Sequence, residues 1–75
     1  MKLFASRAEK ELLKIIDEIN INLANNYKDV AHDARKRLGS RADELFAEGK
    51  LSEKDYLHYR RVYEEYTEKM KNYHH

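Results

Sequence analysis

The sequence predicts an all-α protein, a three-helix up-down-up bundle with helices at about residues 7–25, 27–48 and 53–72. Three observations predict this fold. Apolar residues recur at three- and four-residue steps through three separate segments, which is the period of an amphipathic helix. The chain has no proline and only two glycines, and helix-capping residues stand between the segments. No linker is long enough to separate domains, so we expect residues 1–75 to form one small helical domain.

The first helix is predicted to begin after Ser6. Glu9 follows three residues later, which is the spacing of a capping box. One face of this helix then carries the apolar residues Ala8, Leu12, Ile15, Ile16, Ile19 and Leu23. Asn25 and Asn26 tolerate the left-handed conformation that ends helices, and they also serve as N-caps. We therefore expect the first helix to stop there.

The second helix contains a glycine that either breaks it or lies inside it. Apolar residues keep helical phase straight across Gly39 and Ser40, namely Tyr27, Val30, Ala31, Ala34, Leu38, Ala42, Leu45 and Phe46. A turn would normally reset that phase. We predict one helix with Gly39 inside it, at a cost of ~1 kcal/mol relative to alanine. The glycine either permits close approach of a neighbouring helix or marks a kink.

The stretch AEGKLSEKDY, residues 47–56, predicts a tight antiparallel turn before the third helix. Gly49 suits the left-handed position after a helix. Ser52 has near capping-box spacing to Asp55, and Leu51 can close over Tyr56 as a hydrophobic staple. Three separate end-signals therefore agree within a few residues.

The longer stretch ELFAEGKLSEKDYLHYRRVY, about residues 44–63, resembles the helical hairpin of the short C-terminal (SHOCT) domains. The shared pattern is an apolar pair, a glycine, a leucine or β-branched residue, serine or threonine, acidic residues and then an aromatic. Where that family favours isoleucine, threonine and phenylalanine, this chain has Leu51, Ser52 and Tyr56. The resemblance implies an oligomerisation or interaction module.

Size and charge limit the classes of function. Seventy-five residues without cysteine are near the lower limit for a stable core, so self-association would supply useful further burial. The net charge of +1 gives no general attraction to nucleic acid or anionic membrane. Absence of cysteine fits a reducing compartment. The N-terminus MKLFASRAEKE has only a three-residue apolar run, so we expect no signal peptide and a cytoplasmic location.

No motif predicts an enzyme, a cofactor or a small-molecule substrate. Ser6 and Ser52 have capping roles, and the chain has no G-x-S-x-G and no glycine-rich phosphate loop. The glutamate pairs spaced four apart lack the Glu-x-x-His that a di-metal bundle site needs. His32 and His58 are isolated, so no metal site is expected.

A basic cluster in the second helix gives the alternative function, weak nucleic-acid binding. The cluster consists of Lys28, Arg35, Lys36, Arg37 and Arg41. Its first three members, with His32, can line one strip that meets phosphates. Asp29 and Asp33 interrupt that strip, and the third helix carries glutamates that phosphates would repel. Nucleic acid is therefore the second choice of partner.

The stretch of residues 56–75, which includes most of the third helix, holds five of the six tyrosines at helical spacing. Written as heptads, the seam consists of Tyr56, Tyr59, Tyr63, Tyr66, Met70 and Tyr73. In one interpretation all the rings pack on the other helices, with each hydroxyl at the edge of the core. Five buried hydroxyls, however, need partners that a narrow bundle interior rarely supplies. We therefore predict that the first three rings fill the core, whereas Tyr66, Met70 and Tyr73 extend toward an open end.

Exposed tyrosine, methionine and arginine are typical of protein interfaces. The predicted interface consists of Tyr59, Tyr66, Met70 and Tyr73, with Arg60 and Arg61 at its rim. The sequence thus predicts a non-catalytic helical module for protein interaction or oligomerisation. Its partner would be another protein or a second copy in a homodimer, with no cofactor and no membrane.

Overall fold

Three α-helices joined by short turns account for most of residues 5–74, the part of the chain that the computed structural model describes. The helices are α1 (Arg7–Ala24), α2 (Lys28–Ala47) and α3 (Glu53–Met70). Helix α2 packs against both α1 and α3, and the bundle measures 37 × 20 × 19 Å. The predicted three-helix bundle is confirmed, and every helix boundary lies within two residues of its predicted position.

The caps at both ends of α1 follow from the local sequence. Ser6 Oγ accepts a hydrogen bond from the backbone N–H of Glu9 at 3.1 Å, the serine half of the predicted capping box. Asn26 adopts the left-handed conformation after α1, with φ of 59°. The expectation that an asparagine would also cap α2 is wrong, because the N-cap residue of α2 is Tyr27, which makes no side-chain capping hydrogen bond. Asn26 instead accepts a hydrogen bond from the Tyr73 hydroxyl at 2.9 Å.

The predicted turn between α2 and α3 is confirmed. Gly49 has φ of 75°, a conformation that a side chain would strain. Ser52 Oγ caps α3 by accepting from the N–H of Asp55 at 3.1 Å. Leu51 is buried, and the ring of Tyr56 stacks on Phe46 with 4.3 Å between centroids.

The core is aliphatic on α1 and α2 and aromatic on α3. Its buried apolar members are Ala8, Leu12, Ile15, Ile19, Ala31, Ala34, Leu38, Ala42, Leu45, Leu51, Tyr59 and Met70. Because three of the buried residues on α2 are alanines, space remains between this helix and α3. Large rings fill that space: Tyr56, Tyr63 and Tyr66 of α3, and Tyr73 just after it, pack on the core from its margin.

Gly39 lies buried inside an uninterrupted α2, where the Tyr63 ring of α3 packs against it. A Cβ atom at this position would lie 2.8 Å from Cε1 and 3.2 Å from Cζ of Tyr63. Of the two explanations for a glycine in this helix, close approach of a neighbour is therefore the one that the structure supports. The absent side chain leaves room for the Tyr63 ring.

We expect Gly39→Ala to lower the free energy of unfolding by about 1 kcal/mol, since overpacking of ~1–3 kcal/mol outweighs the gain in helix propensity of ~1 kcal/mol. Urea denaturation measures this change. Ser40→Ala is the matched control, because Ser40 is exposed on the same helix and the substitution changes propensity without a clash. A Gly39→Ala protein as stable as the natural one would show that Tyr63 moves aside at no cost.

Candidate functional site

An open cleft lies between the first half of α2 and the end of α3. Its volume is about 540 Å³. Polar side chains from both helices and from the segment after α3 line it, namely Asp29, His32, Asp33, Arg35, Lys36, Thr67, Lys71 and His74. Three of these side chains are cationic and two are carboxylates, with two imidazoles beside them. The cleft is therefore a polar surface with an excess of cationic and imidazole groups.

Arg35 is held at the wall of this cleft by neutral groups of α3. Its Nη1 donates to Thr67 Oγ1 at 3.2 Å and contacts the Tyr63 hydroxyl at 3.5 Å. The guanidinium lies 5.8 Å from the centre of the Tyr63 ring, at the distance of a cation–π contact. Its Nε is buried and has no hydrogen-bond partner. Among the described residues no carboxylate forms an ion pair with the partly buried guanidinium of Arg35, although Asp29 and Asp33 line the same cleft.

His32 connects Arg35 to the segment that follows α3. The Nε2–H of His32 donates to the backbone carbonyl of Tyr73 at 2.5 Å, and His32 Nδ1 faces Arg35 Nη2 at 3.4 Å. The His32 ring stacks with that of His74 at 5.6 Å between centroids. Lys28 Nζ lies 5.4 Å above the centre of the Tyr73 ring. Residues 73 and 74 thus form the rim of the cleft above the start of α2.

Two of the predicted interface residues are buried inside the chain. Tyr59 is 3% exposed and Met70 is 1% exposed, so the prediction that Met70 extends toward an open end is wrong. Tyr66 and Tyr73 are half-buried and pack on the core. The two rim arginines differ. Arg61 is exposed, whereas Arg60 lies 4.6 Å from the centre of the Tyr63 ring and pairs with Glu64 at 3.1 Å.

Four of the five tyrosine hydroxyls of the seam donate to a polar side chain of another helix or turn, whereas the Tyr63 hydroxyl lies 3.5 Å from Arg35 Nη1. The acceptors are Asp43 for Tyr56 (2.7 Å), Glu9 for Tyr59 (3.3 Å), Asn20 for Tyr66 (2.5 Å) and Asn26 for Tyr73 (2.9 Å). The hydrogen bond to Asp43 raises the pKa of Tyr56, since it favours the neutral phenol. The predicted shortage of hydrogen-bond partners for the tyrosine hydroxyls is therefore wrong, because polar side chains along the helix edges supply those partners.

The predicted basic cluster of α2 does not form one surface. Arg37 pairs with Glu18 of α1. Arg41 donates to both carboxylate oxygens of Glu11, and this hydrogen bonding raises the pKa of Arg41 and lowers that of Glu11. Lys28, Arg35 and Lys36 lie instead on the side of α3, where Lys28 contacts Tyr73 and the other two line the cleft.

Sequence reasoning grouped Lys28, His32, Arg35 and Lys36 but missed the half of the cleft that belongs to α3. Thr67 and Lys71 stand four residues apart on α3 and are therefore neighbours on one of its faces. Thr67 Oγ1 donates to the Tyr63 carbonyl at 2.9 Å and accepts from Arg35. The only sequence signal for this arrangement was a threonine and a lysine flanking the tyrosine seam.

Possible metal ligands and membrane-spanning helices among residues 5–74 bear on the partners predicted from the sequence. No three His, Asp or Glu side chains in this range are grouped so as to hold a metal ion. None of the helices in the described part is long and apolar enough to cross a membrane. The apolar run at the N-terminus begins before Ala5 and so lies largely outside the described residues.

Comparison of the chain with protein-family models, with curated proteins and with solved structures finds no significant match. The resemblance of residues 44–63 to the SHOCT hairpin therefore stays a prediction.

Removing the hydroxyl of Tyr59 should cost more than removing that of Tyr66. Both Tyr59 and its acceptor Glu9 are buried, so we expect Tyr59→Phe to lower the free energy of unfolding by about 1–2 kcal/mol. Tyr66→Phe is the matched control, because its hydrogen bond to Asn20 is exposed to water, and we expect a loss below about 0.5 kcal/mol. Denaturation of the two variants side by side measures this, and equal losses would contradict the assignment.

The Glu11–Arg41 pair predicts a pH dependence of stability. The lowered pKa of Glu11 means that the pair stabilises the fold above the pKa of an unfolded glutamate and ceases to do so as pH falls through the lowered value. We therefore expect Glu11→Gln to be less stable than the natural chain at neutral pH and equally stable in strong acid. Arg41→Gln should show the same convergence. A deficit that does not change with pH would show that packing, and not charge, is lost.

Proposed function

We propose that this protein is a non-catalytic helical interaction module that binds a protein partner through the cleft between α2 and α3. The observation that carries the proposal is Arg35, a partly buried guanidinium in an open cleft, which among residues 5–74 contacts a hydroxyl, a phenol and an imidazole but forms no ion pair with a carboxylate. Desolvated cations in proteins are normally paired with carboxylates. Arginine in a central, partly desolvated pocket is also one of the residue types that anchor protein interfaces. A partner that brings an acceptor to Arg35 supplies the missing charge.

The arrangement of the polar groups in the cleft supports binding and not catalysis. The hydroxyl proton of Thr67 is donated to the Tyr63 carbonyl. The Nε2–H of His32 is donated to the Tyr73 carbonyl. A nucleophile needs a neighbouring base that accepts its proton, and neither group is placed to serve as one for the other. Both side chains hold the wall of the cleft in position.

A different protein fits this surface better than a second copy of the chain does. The homodimer predicted from the sequence would use Tyr59 and Met70, but both side chains are buried in the core of one chain. Apart from Leu57, which is 57% exposed, the outward surface of α3 that remains is mostly charged, with Arg61, Glu64 and Glu65 exposed. Charged residues are depleted at the centres of protein interfaces. We therefore place the interaction at the cleft and not along the outer face of α3.

Nucleic acid fits less well than protein, because the basic cluster is divided between two sides of α2. Arg37 and Arg41 are neutralised by acidic residues of α1. The cations left at the cleft stand beside Asp29 and Asp33. Binding to a polyanion requires several phosphate contacts along one surface.

The proposal is tested by capturing partners from a lysate of the native organism with three baits, the natural chain, Arg35→Gln and Arg61→Gln. We expect at least one protein to bind the natural chain and Arg61→Gln but to be lost with Arg35→Gln. Calorimetry with that purified protein should show binding at least about ten-fold weaker for Arg35→Gln, a change of ~1.4 kcal/mol. Thermal unfolding of each bait checks that it is folded.

The Arg61→Gln bait distinguishes binding at the cleft from binding at the outer face of α3. Arg61 carries the same charge on the outer face of α3, inside the interface predicted from the sequence. Loss of the partner with Arg61→Gln and not with Arg35→Gln would move the interface to that face and overturn the proposal. Sedimentation should give a single species of 9.0 kDa over a wide concentration range. A concentration-dependent dimer that Arg35→Gln leaves intact would instead support self-association along α3.

A further inference from the structure

One edge of the Arg35 guanidinium is left without an acceptor in this fold. The Nη1 atom is occupied by Thr67 and Tyr63. The adjacent edge carries Nε, which has no partner, and Nη2, whose single contact is 3.4 Å long to His32 Nδ1. These two nitrogens present parallel N–H groups, the geometry that holds two oxygens of a phosphate or carboxylate side by side. The 3.4 Å contact is a weak hydrogen bond, so an incoming oxygen replaces it at small cost.

Cationic side chains from both sides of the cleft line it together with Arg35. Lys36 stands on α2 and Lys71 on α3, and both line the cleft with Arg35. The Lys71 ammonium is paired with Glu68 at 2.8 Å, but the two side chains are 59% and 74% exposed. Such exposed pairs contribute little to stability, so Lys71 is available to exchange partners. An anion in the cleft therefore has three cationic side chains along the walls around it.

The number and arrangement of these donors favour a tetrahedral oxyanion over a carboxylate. A planar carboxylate has two oxygens, and the free edge of Arg35 alone satisfies both. A phosphate group has further oxygens that remain for Lys36 on one helix and Lys71 on the other. Asp29 and Asp33 also line the cleft, yet no ion pair joins either of them to Arg35, so no carboxylate of residues 5–74 occupies the Nε and Nη2 edge of the guanidinium.

We propose that the cleft binds a phosphate group carried by a side chain of the protein partner. Arg35 holds two phosphate oxygens through Nε and Nη2, while Lys36 and Lys71 neutralise the remaining charge. Thr67, which both donates to the Tyr63 carbonyl and accepts from Arg35, is a positioning residue that fixes the guanidinium. Because Nε is buried, the oxyanion enters at the Nη2 end, where it replaces the 3.4 Å contact with His32 Nδ1 while the His32 ring keeps its hydrogen bond to the Tyr73 carbonyl. This inference rests on the proposed function and names the chemical group that the module recognises.

The first test uses inorganic phosphate as the probe and nuclear magnetic resonance of the full chain as the readout. Phosphate should shift the Arg35 Nε–H and the amides of Thr67 and Lys71, with an affinity on the order of 1 mM. Sodium chloride at the same ionic strength is the control and should leave these signals in place. Shifts that chloride reproduces, or that spread equally over Arg61 and other exposed cations, would mean nonspecific screening and would overturn the proposal.

Two substitutions at Arg35 separate charge from geometry. Arg35→Gln removes both and should weaken phosphate binding at least ten-fold, a change of ~1.4 kcal/mol. Arg35→Lys keeps the charge but lacks the parallel N–H groups of the guanidinium edge, and we expect it to bind as weakly as Arg35→Gln. Binding by Arg35→Lys equal to that of the natural chain would reject the two-oxygen contact. Arg61→Gln should bind phosphate normally.

The source of the phosphate is decided with three further probes. A peptide carrying phosphoserine should bind more tightly than free phosphate, whereas the same peptide with serine should not bind. A short single-stranded DNA that binds more tightly than the phosphopeptide, with Arg35-dependent and steeply salt-dependent affinity, would overturn the assignment to a protein partner. If phosphate fails to bind while the captured protein still depends on Arg35, the oxyanion assignment falls and the proposed function stands. If phosphate binds but no captured protein depends on Arg35, the proposed function falls instead.

Discussion

The close approach of Tyr63 to Gly39 sets the distance between α2 and α3, and the rest of the structure depends on it. A side chain at Gly39 would occupy the space of the ring, with only 2.8 Å between its Cβ and Cε1 of Tyr63. The ring that fills this space is flanked by Arg35 and Arg60, at 5.8 and 4.6 Å from its centre. Core packing and the cleft are therefore coupled, because the residue that closes the helix pair also supports the guanidinium at the cleft wall.

The tyrosine rings of α3 pack on the core, and their hydroxyls hydrogen-bond to side chains at the helix edges. Hydrogen bonds from Tyr59 to Glu9 and from Tyr66 to Asn20 join α3 to α1. Tyr73 reaches Asn26 in the turn between α1 and α2. Rings at the margin can thus bury apolar area while each hydroxyl keeps a partner. For a small chain without cysteine, these contacts supply connections that a narrow aliphatic core alone does not.

The arginines differ in the groups that they contact. Arg37 and Arg41 join α2 to α1 through carboxylates, and Arg60 pairs within α3 and with Asp43. Arg35 differs because the groups that face it are a hydroxyl, a phenol and an imidazole. Neutral acceptors orient a guanidinium but do not neutralise its positive charge. The same contacts that fix Arg35 in the fold thereby keep it ready for an anion from outside.

The sequence by itself determined the elements and their order. The end-signals at Ser6, Gly49 and Ser52 act within a few residues of the backbone that they satisfy, so helix boundaries could be read from the chain directly. The tertiary structure decided what the tyrosines and arginines do. Tyr59 and Glu9 are 50 residues apart, and Arg35 and Thr67 are 32 apart, so no local pattern pairs them. Helical spacing shows that a side chain lies on a given face, but only the packing of three helices settles whether that face meets a polar neighbour, a ring or water.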